Sequence, residues 1–228
     1  MQNFWRECLW QFATKTLWAL FMAGARIRVV FYDSLPKDTG FILASNHISH
    51  FDPPIITLFF PRRIDWIAMS NLFRGRILRR LFTDLNVIPI ERNGPDRAAL
   101  RLAVQRLKDN RIVGIFPEGG IRDGASSILS GAEMKHGASL LCALSDAPLV
   151  PCVILGSDRL YRAKNWWPLR RVPVWIGFGE PLAPDAAAGD LETLLAENLR
   201  ALAAEMRAHF QLTDDDFPKP PRERMRGA

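Results

Sequence analysis

The sequence of 228 residues predicts an α/β fold, with a mostly parallel central sheet covered by helices. Apolar runs typical of strands alternate along the chain with segments in which apolar residues recur at helical spacing. Polar clusters directly follow several of the predicted strands, which is where sites form in open α/β sheets. A composition with 48% hydrophobic and 24% charged residues is that of a globular domain and argues against wholesale disorder.

Each element of the predicted fold follows from a local pattern. Apolar runs bounded by turn residues predict strands, and apolar residues three or four apart predict helices. Asn93 is expected to cap a helix that continues to Lys108. The strands are predicted at 26–32, 41–45, 64–69, 87–91, 112–116, 149–155 and 172–178, and the helices at 53–60, 71–82, 93–108, 133–144 and 191–210.

The chain divides into three parts: residues 1–25, a main domain at 26–212, and a charged tail at 213–228 that we expect to be frayed. In the first part, Glu7, Gln11, Thr14 and Lys15 form a narrow polar stripe among aromatic and aliphatic residues. Its longest uncharged run is too short to span a bilayer, so we predict an N-terminal amphipathic helix in a membrane interface. Packing on its own domain and a cleaved signal peptide are the alternatives, and Glu7 disfavours the latter.

Charge is unevenly distributed along the sequence. Residues 1–110 contain 16 lysines and arginines against 9 acidic residues, whereas the remainder is nearly neutral. A basic first half indicates an anionic partner, such as nucleic acid, a phosphorylated substrate or an acidic membrane surface, unless the arginines are simply solvated. The segments 71–82 and 165–171 combine aromatic residues with arginines, and each could contact anionic headgroups or simply pack on the domain. Three widely spaced cysteines argue against a disulfide framework and favour a reducing compartment.

The first polar cluster is NHISHFD at 46–52, directly after a predicted strand. Across a strand-to-helix turn, Asp52 can reach one imidazole nitrogen of His47 and leave the other as a general base. His50 competes for this role. The residues could also form half of a metal site, or His47 could simply bond to the turn backbone.

Two further clusters follow later strands. Arg92, at the end of a strand and just before a helix, is a candidate phosphate ligand, although a salt bridge is as plausible from sequence alone. In FPEGGIR at 116–122, Glu118 could accept hydrogen bonds from a polyol, and Gly119 with Gly120 would allow close approach of a ligand. The alternative is a plain turn.

Four blocks occur in order within residues 46–154: NHISHFD, IPIER, FPEGG and VPCVI. Together they resemble the glycerolipid acyltransferase family, which includes 1-acylglycerol-3-phosphate acyltransferases. The resemblance implies transfer of a fatty acyl group from a thioester, acyl-CoA or acyl-ACP, to a hydroxyl of a lysophospholipid. It also implies an acyltransferase domain at 26–212, attached to the cytoplasmic face of an anionic membrane.

The resemblance also implies roles for individual residues. His47 would deprotonate the acceptor hydroxyl, and Asp52 would orient His47. The other substrate-binding candidates are Arg92 for phosphate, Glu118, Gly119, Gly120 and Arg122 for the acceptor, and Pro151 near the acyl donor. A thioester is already activated, so no metal and no cofactor are expected, and His50 is interpreted as structural.

The third block departs from the family's pattern. Family members often have Thr-Arg-Ser where this chain has Gly120, Ile121 and Arg122, so the arginine is displaced by one residue. In an extended loop this reverses the direction of the side chain, which leaves the acceptor headgroup open. Lysophosphatidic acid is the first choice, and another lysophospholipid or an amino-lipid is the alternative.

Other classes of function are less well supported. A metal-dependent hydrolase would need further ligands, and only His136 and His209 remain. No G-x-S-x-G and no Walker A motif occur, which argues against a serine hydrolase and excludes a P-loop NTPase. A nucleic-acid-binding module could explain the arginines, and it predicts salt-sensitive binding to DNA or RNA. A non-catalytic lipid-binding protein is the closest rival, and the intact pair of His47 and Asp52 argues against it.

Overall fold

The computed structural model describes residues 11, 15–16, 18–19, 21–30, 35–91, 96–162, 165, 171–184 and 188–219. Seven strands form one sheet, and each lies within two residues of its predicted position. Their bounds are β1 Ala25–Val30, β2 Phe41–Ser45, β3 Ile64–Met69, β4 Ile88–Ile90, β5 Ile112–Ile115, β6 Leu149–Leu155 and β7 Val172–Phe178.

The strand order is β1-β7-β6-β2-β5-β3-β4. Five of the six neighbouring pairs are parallel, and only β6 and β7 pair in antiparallel fashion. Strands β2 to β6 therefore run in one direction, and β1 with β7 in the other. The predicted mostly parallel sheet is confirmed. As a consequence, the carboxyl ends of β6, β2 and β5 are neighbours at one edge of the sheet.

Helices cover both faces of the sheet, as expected. On one face, α3 (Arg97–Lys108), α4 (Gly137–Ser145) and α5 (Ala188–Phe210) pack over side chains such as Val113. On the other face, α1 (Asp52–Phe59) packs over side chains such as Ile112. Because successive strand residues point to opposite faces, runs buried on both sides are continuously apolar.

The predicted helix at 71–82 is wrong in its bounds, because the segment is broken in the middle. A 3₁₀ turn covers Ser70–Phe73, and α2 covers Arg76–Asp84. Gly75 separates them with a φ of 87°, in the left-handed region that a helix interior cannot contain. The apolar periodicity continues across Gly75 and therefore concealed the break.

Two other helices begin later than predicted. Helix α3 begins at Arg97, where the carboxylate of Asp96 accepts hydrogen bonds from the backbone N–H groups of Ala98 and Ala99. These bonds lower the pKa of Asp96 and make it the cap; Asn93 lies outside the described residues. Helix α4 begins at Gly137, not at residue 133, because the Lys135 N–H is bonded to the Pro117 carbonyl at 2.8 Å.

The tail does not match the expectation of fraying over its first seven residues. Asp216 forms an ion pair with Arg159 at 2.6 Å, and the Pro218 carbonyl accepts a hydrogen bond from the Gly124 N–H. The ring of Phe217 lies under the guanidinium of Arg207. Residues 213–219 therefore pack on the domain, and residues 220–228 lie outside the described part.

Most of the predicted N-terminal helix also lies outside the described residues. Residues 21–24, at its end, are helical. Phe21 is buried and meets Phe51 edge-on with ring centroids 6.0 Å apart, whereas Trp18 is half exposed. The end of this segment thus contacts the domain beside the first polar cluster, and its membrane contact stays a prediction.

Candidate active site

The site begins where β2 ends. Asn46 follows the last residue of β2, and its buried side chain continues the hydrogen bonding between β2 and β6. Its amide oxygen accepts a hydrogen bond from the Ile154 N–H at 2.8 Å, and its amide nitrogen donates to the Ile154 carbonyl at 3.0 Å. This pair of bonds holds the backbone at the point where the chain leaves the sheet, so the position of His47 is set by β6 as well as by β2.

Asp52 binds the ring of His47, as the sequence predicted. It is the first residue of α1, and its side chain is fully buried. Its Oδ2 lies 2.8 Å from His47 Nδ1 and accepts hydrogen bonds from the Ile48 and Ser49 N–H groups, each at 2.8 Å. The hydroxyl of Ser157 donates to the other oxygen, Oδ1. The turn between β2 and α1 is thus folded around this carboxyl group.

The hydrogen-bonding pattern assigns the tautomer of His47. Two backbone N–H groups and the Ser157 hydroxyl all donate to Asp52, which fits an ionised carboxylate. His47 Nδ1 therefore carries a proton and donates it to Asp52. In the neutral ring, Nε2 is then a proton acceptor, which is the form that a general base requires.

An aromatic stack fixes the plane of the His47 ring. Its centroid lies 4.0 Å from that of Phe116, with the rings inclined by 19°, and Phe116 in turn stacks on Trp66 at 4.7 Å. The indole of Trp66 donates a hydrogen bond to Thr57 in α1. The side chain of His47 retains 15% exposure. The ring is therefore held on one face and by one nitrogen while still reaching solvent.

Glu118 contacts the turn that carries His47 and Asp52 through its own carboxylate. Oε2 accepts a hydrogen bond from the His47 N–H at 2.6 Å, and Oε1 accepts bonds from the Ile128 N–H and the Ser127 hydroxyl. Burial raises the pKa of Glu118, and these hydrogen bonds offset the rise only in part. The carboxylate thus braces the backbone of His47, and its expected contact with a substrate polyol stays a prediction.

The loop after β5 wraps around His47. The Arg122 N–H donates to the His47 carbonyl at 2.8 Å, while the Arg122 side chain is exposed. Gly119 has a φ of 66°, and a Cβ there would lie 2.7 Å from Nζ of Lys135. At Gly120 a Cβ would meet nothing within 4 Å. The loop therefore has one open position, Gly120, beside one position covered by a cation.

Two further residues were predicted for the site, Arg92 and Pro151. Arg92 lies outside the described residues. Pro151 is buried within β6, where it pairs with Ala44 and accepts a hydrogen bond at its carbonyl from the Gly179 N–H. A role of Pro151 at the acyl donor stays a prediction, because its contacts here are those of sheet packing.

Sequence reasoning missed several residues of the site. Ser157 and Tyr161 begin and end a 3₁₀ turn after β6; Ser157 bonds to Asp52, and the Tyr161 hydroxyl lies 2.6 Å from Nδ1 of His50. Lys135 was also missed. Their place in the sequence could have indicated Ser157 and Tyr161, because they directly follow β6. This strand is parallel to β2 and therefore ends at the same edge of the sheet.

Neither described cysteine suits a nucleophile. Burial raises the pKa of Cys142 to about 11 and raises that of Cys152 further. The described residues contain no cluster of three or more histidine, cysteine or acidic side chains able to hold a metal ion. None of the helices described is long and apolar enough to cross a membrane.

These features define a class: an α/β protein with a carboxylate-oriented histidine and a glycine-containing loop at the carboxyl edge of a mostly parallel sheet. A family model described as acyltransferase matches residues 26–155, and the chain belongs to this acyltransferase family. The match covers every strand from β2 to β6 and the whole histidine–aspartate turn.

Several relatives are named for the same reaction. The chain is 26% identical over 151 residues to the 1-acyl-sn-glycerol-3-phosphate acyltransferase of Bacillus subtilis, covering 65% of this chain and 72% of the relative. It is 23% identical over 187 residues to that of Streptococcus pneumoniae, covering 81% and 64%. In fold it is similar to the crystal structure of the LPA acyltransferase PlsC from Thermotoga maritima, with a TM-score of 0.69, 22% identity, and coverage of 91% and 83%.

One relative carries a different name. The chain is 30% identical over 131 residues to an N-acylphosphatidylethanolamine synthase of Arabidopsis thaliana, covering 53% of this chain and 44% of the relative. That name describes acylation of an amino-lipid.

Proposed function

We propose that this protein transfers a fatty acyl group from a thioester to the free hydroxyl of a lysophospholipid, with 1-acylglycerol-3-phosphate as the acceptor. The product would be phosphatidic acid. The observation that carries the proposal is the histidine–aspartate pair, in which a fully buried carboxylate with four hydrogen-bond partners orients a partly exposed imidazole. The names of the bacterial relatives support the choice of acceptor.

The proposed reaction uses His47 twice. Nε2 takes the proton from the acceptor hydroxyl as its oxygen attacks the thioester carbonyl, and a new C–O bond forms. The tetrahedral intermediate then expels the thiolate, the C–S bond breaks, and the imidazolium returns its proton to the sulfur. Asp52 keeps Nδ1–H in place throughout and stabilises the transient positive charge. The proposed reaction requires no metal and no cofactor, since the thioester supplies the activated acyl group.

For the acceptor phosphate we propose the cations around the FPEGG loop. Lys135 lies across Gly119, its backbone is tied to Pro117, and it makes no salt bridge among the described residues. Its ammonium group could supply charge beside Gly120, where a ligand has room. Arg122, in the same loop, is the second candidate, and its exposed side chain is free to turn toward a headgroup. Arg92, which lies outside the described residues, stays a candidate from the sequence alone.

An amino-lipid acceptor is the second candidate. The replacement of Thr-Arg-Ser by Gly120, Ile121 and Arg122 removes a hydroxyl and displaces a cation, which weakens the case for a phosphomonoester. The similarity to an N-acylphosphatidylethanolamine synthase points in the same direction. The acyl-transfer step at His47 would be the same for both acceptors, except that nitrogen would replace oxygen as the nucleophile.

We further propose that the protein works at the cytoplasmic face of an anionic membrane, with acyl-CoA or acyl carrier protein as donor. Both substrates of the reaction are amphiphiles. The aromatic-rich segment at 1–25 would lie in the interface, and Phe21 connects its end to Phe51 beside the catalytic turn.

The direct test supplies the purified full chain with oleoyl-CoA and lysophosphatidic acid in anionic vesicles that contain EDTA. Thiol release and lipid product are followed together. A positioned general base contributes about 10²- to 10⁴-fold in rate, so we expect His47→Ala to lose activity by that factor. His209→Ala, which changes an exposed histidine on α5, is the matched control and should keep full activity.

The outcomes separate the rival functions. Product in EDTA that disappears in His47→Ala supports metal-free acyl transfer. Activity with lysophosphatidylethanolamine or another acceptor but not with lysophosphatidic acid would keep the reaction and replace the substrate. Loss of activity in EDTA would favour a metal enzyme, and lipid binding without turnover of any acceptor and donor would favour a lipid-binding protein.

A further inference from the structure

Residues 70–84 form a surface segment that buries none of its side chains. It consists of the 3₁₀ turn Ser70–Phe73, Gly75 and helix α2, and neither helical piece contains a buried residue. Ile77 is 84% exposed, Leu78 47% and Leu72 41%. Isolated exposed leucines are common on soluble proteins, but a nine-residue helix without one buried side chain is not what packing on a core produces.

The domain does not fill the space beneath this segment. Phe73 and Phe82 contact each other, with ring centroids 5.2 Å apart, and thus pack within the segment. A cleft of about 520 Å³ lies between α2 and α3, lined by side chains that include Thr83, Val87 and Leu102. The helix therefore stands off from its neighbour, and its side chains Ile77 and Leu78 remain in solvent.

The charge of the segment is strongly positive. It carries Arg74, Arg76, Arg79 and Arg80, all exposed, and Asp84 is its only acidic residue. Asp84 is already paired with Arg80 at 2.8 Å. Arg74, Arg76 and Arg79 thus lie close in sequence to the exposed apolar residues, and the segment contains no second acid to neutralise them. This pairing of exposed aliphatic side chains with guanidinium groups complements an anionic lipid headgroup layer over its acyl chains.

The segment starts at the same edge of the sheet as the active site. Strand β3 is parallel to β5 and ends at Met69, so the chain enters the 3₁₀ turn at the carboxyl edge where His47 lies. Trp66, in the same strand, belongs to the aromatic stack against the His47 ring. A bilayer that contacts residues 70–84 would therefore face the edge that carries the catalytic turn.

We propose that residues 70–84 are a lipid-docking surface for anionic bilayers, separate from the N-terminal segment. Ile77 and Leu72 enter the apolar boundary of the bilayer, and Arg74, Arg76 and Arg79 contact lipid phosphates. A second copy of the chain is a poorer occupant, because two such surfaces would bring like charges together. The proposal concerns binding alone and holds whichever acceptor the enzyme uses.

The test places a reporter at the surface and measures no catalysis. In the full chain with Cys8→Ser, Ile77→Cys is labelled with an environment-sensitive fluorophore, since Cys142 and Cys152 are buried. The matched control is Leu194→Cys, at an exposed leucine on α5. With phosphatidylglycerol vesicles we expect a blue shift and quenching by lipid-borne quenchers at residue 77 and neither at residue 194.

Binding variants supply the second measurement. In co-sedimentation with the same vesicles, we expect Ile77→Ser to lower the partition coefficient about tenfold, as the loss of one buried aliphatic side chain should. Arg74→Gln with Arg76→Gln should lower it by at least as much, and only at low salt. Leu194→Ser, and Arg101→Gln with Arg200→Gln, are the controls and should bind as the unchanged chain does.

Three results would overturn the proposal. The first is a reporter at residue 77 that remains in water on bound protein, which would leave binding to the N-terminal segment alone. The second is an equal response on phosphatidylcholine vesicles, which would remove the role of the arginines. The third is a blue shift without lipid that grows with protein concentration, which would assign the surface to self-association.

Discussion

The buried carboxyl of Asp52 and the buried carboxyl of Glu118 hold the same histidine from two sides. Asp52 bonds to the ring, and Glu118 bonds to the backbone N–H. The spacing of His47 and Asp52 in the sequence was sufficient to predict the first contact, because both lie on one short turn. The second contact could not be predicted, since a sequence does not show in which direction a carboxylate turns.

Glu118 should make stability depend on pH in a defined direction. Burial raises its pKa, so the folded state holds the proton more tightly than the unfolded chain does. The resulting stability is complete below the unfolded pKa and is lost as the pH rises through the folded pKa. We expect Glu118→Gln to remove this decline, which amounts to up to about 1.4 kcal/mol per pH unit.

Urea unfolding between pH 4 and pH 8 measures this effect as the difference between Glu118→Gln and the unchanged chain. Burial also raises the pKa of Asp65, but both proteins contain this residue, so its contribution to stability cancels in the difference. Parallel stability curves would contradict the prediction. The variant should also lose activity, because an amide cannot accept both sets of N–H bonds, and an unpaired buried group costs about 1–3 kcal/mol.

At the scale of single elements, the loop after β5 contains two neighbouring glycines, Gly119 and Gly120, whose substitution by alanine can be compared. Gly119 needs its positive φ, and a Cβ there would lie 2.5 Å from Cε of Lys135; at Gly120 the space is open. We expect Gly119→Ala to destabilise the fold by about 1 kcal/mol through backbone strain, and Gly120→Ala to leave stability unchanged. Thermal unfolding measures both.

Activity assays on the same two variants then locate the acceptor. If the headgroup occupies the open space at Gly120, Gly120→Ala should raise the KM for the acceptor and leave the KM for the donor unchanged. An unaltered acceptor KM would remove Gly120 from the substrate site.

The bounds of the helices could be predicted only approximately from sequence patterns. Asparagine and aspartate are both good helix caps, so the sequence does not distinguish Asn93 from Asp96 as the start of α3. The hydrogen bonds that Asp96 accepts from two backbone N–H groups identify it as the cap. The break at Gly75 was hidden because Phe73, Ile77 and Leu81 keep helical spacing across it. The strands were predicted more closely because a run buried on both faces begins and ends with its apolar residues.

For the whole molecule, the C-terminal tail is connected to the turn of His47 and Asp52 through one intermediate element. The 3₁₀ turn Ser157–Tyr161 carries the hydroxyl that bonds to Asp52 and also carries Arg159, which bonds to Asp216. These residues are more than 50 positions apart in the chain. Sequence periodicity cannot reveal such a connection, because no local pattern relates the positions.

We expect Asp216→Ala to loosen the tail, because it removes the charge-assisted hydrogen bond from Arg159 together with the bonds from Thr213, and to lower kcat about two- to fivefold. Burial alone would raise the pKa of Asp216, but the hydrogen bonds from Arg159 and Thr213 outweigh it and lower the pKa. The contribution of the pair is therefore present above the ordinary aspartate pKa and is lost as the pH falls through the lowered one.

Limited proteolysis of the tail and steady-state kinetics measure the two effects. Asp215→Ala is the control, because Asp215 is exposed and bonds to Lys219 within the tail itself. Equal kinetics in both variants would show that the tail does not support the catalytic turn.

The backbone of His47 is bonded to the loop after β5 on both sides of its Cα: its N–H donates to Glu118, and its carbonyl accepts from the Arg122 N–H. A protein engineer who transplants this loop from a relative to alter headgroup preference would therefore also move His47, the proposed base. Under the proposed function, we expect acceptor choice and turnover to change together when this loop is altered. Loop chimeras should be judged by turnover as well as by selectivity, and substitutions confined to Gly120 or Ile121 offer the gentler route.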